Sequence, residues 1–165
     1  MTSLFKLMTI CSLLLMSSCY GFKDITVAAG VKSFYVENFV LADLTAPIDL
    51  SQVFTEELRR KIRQESRLIE NNDNPDIIFS GTVSRYGITY AAPDVDNTAS
   101  LNRLTIVLKI DFESLVNEED NWSKTYTDFE DYDSNGNLQD IEDQLIATIV
   151  EDILERVFND AFTDW

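Results

Sequence analysis

From Leu104 to Phe112 the apolar residues fall on alternate positions. Leu104, Ile106, Leu108, Ile110 and Phe112 point one way, and Thr105, Lys109 and Asp111 point the other. Successive side chains of a strand project to opposite faces, so this segment has one dry face and one wet face. Such a strand fits an antiparallel sheet covered on a single side. The cover is also legible. Apolar residues recur at helical spacing from Leu138 through Ile149 and Ile153 to Phe162, while Asp140, Glu142, Asp143, Glu151, Asp152, Glu155 and Asp160 take the remaining surface. A stripe this wide must be packed against something.

The other segments complete a two-layer plan. Ser33 to Ala42 is rich in aromatic and β-branched residues and reads as a strand. A first helix starts near Asp49 or Ser51, with Val53, Phe54, Leu58, Ile62 and Leu68 recurring, and NNDNPD (Asn71 to Asp76) punctuates its end. Ile77 to Tyr90 is a second strand, with Gly81 and Gly87 as candidate bulges. Ala91 to Ser100 is a loop, NEEDN (Asn117 to Asn121) is a turn, and WSKTYTDFEDY is the fourth strand. The order β-α-β-β-β-α predicts an α+β two-layer sandwich, two helices packed on one four-stranded, mainly antiparallel sheet.

Of the 165 residues, 45% are hydrophobic, enough to build one core, so residues 33–165 read as a single domain. Histidine is absent, which removes the usual general base and the commonest metal ligand. The formal net charge of −16 repels phosphate backbones and argues against nucleic acid as a partner.

The N-terminus stands apart from the fold. Lys6 precedes a short apolar run, Leu7 to Met16, then small Ser17 and Ser18, then Cys19. This resembles a bacterial lipoprotein signal: residues 1–18 are the signal, Cys19 is the lipidation site, and 19–32 form a tether. The resemblance implies two or three acyl chains on the new N-terminus, a stable membrane anchor. An ordinary secretory signal with a free Cys19 thiol, or a buried helix, are the other readings. Cleavage removes Lys6 and no acid, so the mature chain is one unit more negative; Cys11 leaves too, and the cysteine count then says nothing about redox.

One stretch, DYDSNGNLQDIE (Asp131 to Glu142), carries the spacing of a calcium loop. Asp131, Asp133 and Asn135 would supply side chains, Asn137 a carbonyl and Glu142 a bidentate carboxylate. A strand precedes this loop, so any such site is strand-loop-helix and structural. The competing reading is a turn at Asn135-Gly136 followed by an Asn137 N-cap, with Asp140 in the first helical turn.

Five segments together resemble one family: SQVFTEELRRKI, GTVSRYGIT, LNRLTIVLKIDF, YTDFEDYDS and IVEDILERVFNDAFTDW. They look like the divergent LptE-like outer-membrane lipoproteins of lipopolysaccharide transport, from the lipobox to Trp165. The resemblance implies no catalytic task and no cofactor. It implies a lipid-anchored protein on the periplasmic side of the outer membrane, which plugs a large LptD-type β-barrel, assists its assembly and aids delivery of lipopolysaccharide to the outer leaflet. The alternative is a free-standing periplasmic lipoprotein that binds a ligand or a transporter partner; an enzyme using paired acids has the least support. By analogy with relatives, Arg59, Arg63 and Arg67, at i, i+4 spacing, are candidates for lipopolysaccharide phosphates. Against this, Glu56 with Arg60 and Glu57 with Lys61 are favourable pairs on a solvated helix face. Tyr86 and Tyr90 are candidate partner contacts at a loop tip, with core packing the competing reading.

Overall fold

The computed structural model describes residues 27–91 and 100–163. Strand β1 is Ser33–Val36, β2 is Val40–Leu41, helix α1 is Leu50–Glu65, and β3 is Ile69–Glu70. Strands β4 (Ile77–Ala91), β5 (Leu101–Ser114) and β6 (Trp122–Asp133) follow, then helix α2 (Leu138–Phe162). A 3-10 turn at Glu118–Asp120, whose first turn is capped by the Asn117 side chain, stands where NEEDN predicts a turn.

The sheet has six strands and is mixed, not four-stranded and mainly antiparallel. Its order is β3-β1-β4-β5-β6, with β2 also on β4. β4, β5 and β6 are antiparallel neighbours, as the alternation predicts. β1 and β2 lie parallel to β4, and β3 parallel to β1. The reason is the position of α1. A helix between two neighbouring strands carries the chain back to its starting end, so the strands it connects run the same way.

The expected single strand over Ser33 to Ala42 is broken, and α1 heals the break. Phe39 turns inward and its ring lies over Gly81, where even a Cβ would come within 2.8 Å of it. That close approach, not a bulge, explains this glycine; the register shift in β4 falls between Val83 and Arg85. The Phe39 N–H donates to Thr55 Oγ1 at 3.0 Å, and the Thr55 hydroxyl donates to Ser51 O at 2.8 Å. Thr55 is 2% exposed, so Thr55→Val would bury the Phe39 N–H without an acceptor. The expected loss is about 1–3 kcal/mol, read as a lower urea midpoint at unchanged slope.

Both helices cover one sheet face. Leu50, Phe54, Leu58 and Ile62 of α1 are buried there, as are Ile146, Ile149, Val150, Ile153, Leu154, Val157, Phe158, Ala161 and Phe162 of α2. They share one buried apolar core with the even-numbered residues of β5, Leu104 to Phe112. Among the described residues, no helix covers the opposite face. Its register rows read Ser80, Asp111, Ser123 and Thr82, Lys109, Thr125, a polar, hydroxyl-bearing surface.

The middle of the β6 edge is blocked by side chains. Arg156 donates to Thr127 O at 3.1 Å and to Asp128 Oδ2 at 2.8 Å, while Asp128 Oδ1 accepts the Phe129 N–H at 2.9 Å. Charged blocking of an edge is a general defence against unwanted strand pairing. Among the described residues, no helix is long and apolar enough to cross a membrane.

Candidate functional site

The described chain enters at one end of the sheet. Val27, Ala28 and Val31 line a small gap with Ile77, Phe112 and Ser114. Asp76 anchors this entry: its Oδ2 accepts from the Lys32 and Ser33 N–H groups and from Ser33 Oγ, at 2.8–2.9 Å. Those bonds hold its carboxyl below the usual carboxylate range. β5 runs from the opposite end towards this one, and 14 residues at about 3.4 Å each separate the two by roughly 45 Å. Cys19 and the signal lie outside the described residues.

At the far end, the connection from β2 to α1 lies against β4. Asp43 Oδ2 accepts the Tyr86 N–H at 2.8 Å, and Asp43 Oδ1 accepts the Thr45 N–H at 2.9 Å. Thr45 Oγ1 donates to Asp43 Oδ1 at 2.6 Å and lies 3.2 Å from Tyr86 O. Two side chains thus occupy the place a continued β2 would take. The Thr45 hydroxyl, then the Tyr86 and Thr45 N–H groups, pull the Asp43 carboxyl down to about 2. A lowered carboxylate stabilises the fold above its unfolded pKa, about 3.9, and that contribution disappears as pH falls through about 2. The stability difference between wild type and Asp43→Asn should therefore be largest above about pH 4 and shrink towards pH 2 in urea titrations.

Sequence reading passed over this pair, although Asp-x-Thr is an Asx-turn signal. It also passed over Leu44 and Ile48, which are both 92% exposed in the same connection. Of the two tyrosines, Tyr90 is exposed at the end of β4. Tyr86 is instead core: it is 7% exposed and its hydroxyl donates to the Glu142 carboxylate, tying β4 to α2. Burial first, then that carboxylate, push its pKa up. Tyr126 makes the matching tie, donating to Asp160 Oδ2 at 2.6 Å.

The three arginines do not form one row. Arg59 is turned to the broken strand, donating to Val36 O through Nε at 3.2 Å and Nη2 at 2.6 Å, to Asn38 Oδ1, and through Nη1 to Glu56. Arg63 pairs with Glu70 at 2.7 Å. Arg67 is exposed and lies beyond the end of α1 at Glu65, because the chain leaves the helix there to form β3. The expected i, i+4 pairs are replaced by Glu56–Arg59 and Glu57–Arg60 at i, i+3. Lys61 bridges the helices, 2.5 Å from Glu155 and 2.8 Å from Glu65.

The calcium spacing does not become a ligand cage. Asp131 faces Arg103 through two bonds of 2.7 and 2.8 Å. Asp133 Oδ1 accepts the Asn135 N–H and Nδ2. Asn137 caps α2, accepting the Gln139 N–H at 3.3 Å, and Glu142 takes Tyr86. A strand, not a helix, leads into the turn, which spreads these groups over β6, the turn and α2. Among the described residues, no group of three or more acidic or cysteine side chains is placed to hold a metal ion.

A groove of about 380 Å³ separates α1 from α2, floored by Val53, Ala147, Val150 and Leu154 and rimmed by Glu57, Arg60 and Glu151. A second hollow of about 250 Å³ shares Val53 and Ala147 and reaches the far end, between Asp49 and Asp143.

A family model described as LptE, lipopolysaccharide-assembly, matches residues 31–161. Among solved structures, a minor lipoprotein from Acinetobacter baumannii is similar at 13% identity and a TM-score of 0.52, covering 78% of this chain and 91% of that one. Uncharacterized lipoprotein B from Nitrosomonas europaea is similar at 11% identity and 0.51, covering 78% and 80%. A protein from Xanthomonas campestris is similar at 13% identity and 0.50, covering 82% and 86%. At these identities the likeness is one of fold. No curated protein matches the chain.

Proposed function

The chain belongs to the LptE lipopolysaccharide-assembly family, and from that premise we propose that it is an outer-membrane lipoprotein that plugs a large LptD-type β-barrel. In this reading Cys19 carries the lipid on the periplasmic side, and the domain assists barrel assembly and delivery of lipopolysaccharide to the outer leaflet. The observation that carries it is the family match over 31–161, which spans nearly all of the described fold.

The form of the domain suits the task. A wedge roughly 45 Å long, entered by its tether at one end, can seat within a wide barrel while anchored beside it. The helix-free sheet face, with Ser80, Thr82, Ser123 and Thr125 flanking Asp111 and Lys109, offers donors and acceptors to a polar lumen. The buried polar side chains already have partners within the domain. The protein therefore acts in this reading by shape and surface, without chemistry of its own.

The test is affinity purification of a C-terminally tagged chain from outer membranes, followed by mass spectrometry. A large β-barrel protein recovered in near-equal amount is the expected result. Recovery of the chain without any barrel would overturn the reading in favour of a free-standing lipoprotein.

A further inference from the structure

The far end of the sheet carries an open strand edge. Asp43 and Thr45 meet the N–H and C=O of Tyr86, so those groups point away from β5. Backbone groups in an antiparallel strand repeat their direction every second residue. The β4–β5 register is unbroken from Arg85 to Ala91. Ile88 and Tyr90 therefore direct their N–H and C=O groups to the same side as Tyr86. Among the described residues, β2 pairs only with Thr82 and Val83, and the side-chain mimicry stops at Tyr86. Among the described residues, nothing pairs with the edge beyond it.

Its surroundings differ from the rest of the surface. Ile88 is 46% exposed and Tyr90 88%, and Leu44 and Ile48, at 92% each, stand in the connection that Asp43 and Thr45 hold against Tyr86. Exposed apolar groups gathered at one place mark contact sites. A hollow at the α1 end of the same connection, lined by Pro47, sets Asp49 and Asp143 beside apolar Leu50 and Ile146. That combination fits a lysine or arginine, with its stem on the apolar side chains and its cation between two acids. The same sheet blocks the middle of its β6 edge with Arg156 and Asp128.

We propose that the β4 edge at Ile88–Tyr90 is a strand-addition site for the barrel partner. It takes an extended segment with apolar residues on alternate positions and one basic residue that enters the hollow between Asp49 and Asp143. Main-chain bonds supply the attachment, and side chains on alternate positions supply the choice of segment. The inference rests on the barrel reading above and names the place on this domain where the barrel chain docks.

The decisive variant is Ile88→Pro in the full-length lipidated protein. The β4–β5 ladder does not use the Ile88 N–H, so proline removes an outward donor and obstructs an incoming strand without deleting a ladder bond. The preceding residue, Gly87, tolerates the extended conformation that proline demands. Ile88→Pro should melt within about 3 °C of wild type and retain about tenfold less barrel, with Ile88→Val retaining the wild-type amount. Equal retention by Ile88→Pro and wild type would overturn strand addition while leaving the barrel reading intact. Loss of the barrel from wild type itself would overturn both. Should Ile88→Pro fail to fold, a photo-crosslinking residue at position 90 decides. Crosslinks to one extended barrel segment support the site, and crosslinks only to a second copy of this chain, or none, overturn it.

Discussion

Phe79→Ala is expected to cost about 3–5 kcal/mol, the largest loss from any single side chain in the sheet. Phe79 is fully buried. It stands in register between Val36 of β1 and Phe112 of β5. Its ring is 5.1 Å from that of Phe112, edge on, and 6.2 Å from that of Phe162 at the end of α2. Phe112 in turn stacks on Trp122 at 5.3 Å. One ring therefore joins the parallel part of the sheet, the antiparallel part and the second helix. Removing it opens a cavity whose walls belong to β1, β5 and α2, so the site cannot collapse without moving three elements. Urea denaturation would show the loss as a lower midpoint, and Phe79→Leu should recover most of it. A loss below about 1 kcal/mol would place the structural centre elsewhere.

Cys19→Ala, paired with an Ala-x-Ala cleavage site so that the signal is still removed, is expected to move nearly all of the protein from the membrane pellet to the soluble fraction. The physical reason lies in the arithmetic of acyl chains: one chain gives marginal, reversible binding, and two or three give stable anchoring. Nothing else in the described domain replaces that term. No helix there can span a bilayer, and an acidic surface gains little from anionic head groups. Carbonate washing of envelopes and labelled palmitate report the same event independently. A variant that stays in the washed pellet, or a wild type that takes up no palmitate, would remove the anchor from the proposed function.

The antiparallel half of the fold was legible because its signals are local. The alternation in β5, the stripe of α2 and the Asn137 cap each express a periodicity or a turn within a few residues. The parallel half depends on partners far away in the chain. Arg59 meets Val36 across 23 positions, Asp43 meets Tyr86 across 43, and Asp76 meets Ser33 across 43. No window of sequence contains both ends of such bonds. The calcium spacing illustrates the converse. A local pattern can be complete, yet Arg103 and Tyr86, from other strands, claim its acids first. Arg59 likewise reads as a phosphate ligand by spacing and becomes a structural brace once β1 breaks beside it.

The partly blocked β6 edge limits how the sheet can recruit neighbours. A layer with two receptive sides can be extended indefinitely, each added molecule offering a fresh template to the next. Here the guanidinium of Arg156 and the carboxylate of Asp128 obstruct the middle of one side. A second pairing on the β6 side meets that obstacle, whereas Ile88 and Tyr90 meet none among the described residues. A subunit with such unequal edges suits one-to-one capping of another chain's sheet better than growth of a fibre at high local density on a membrane.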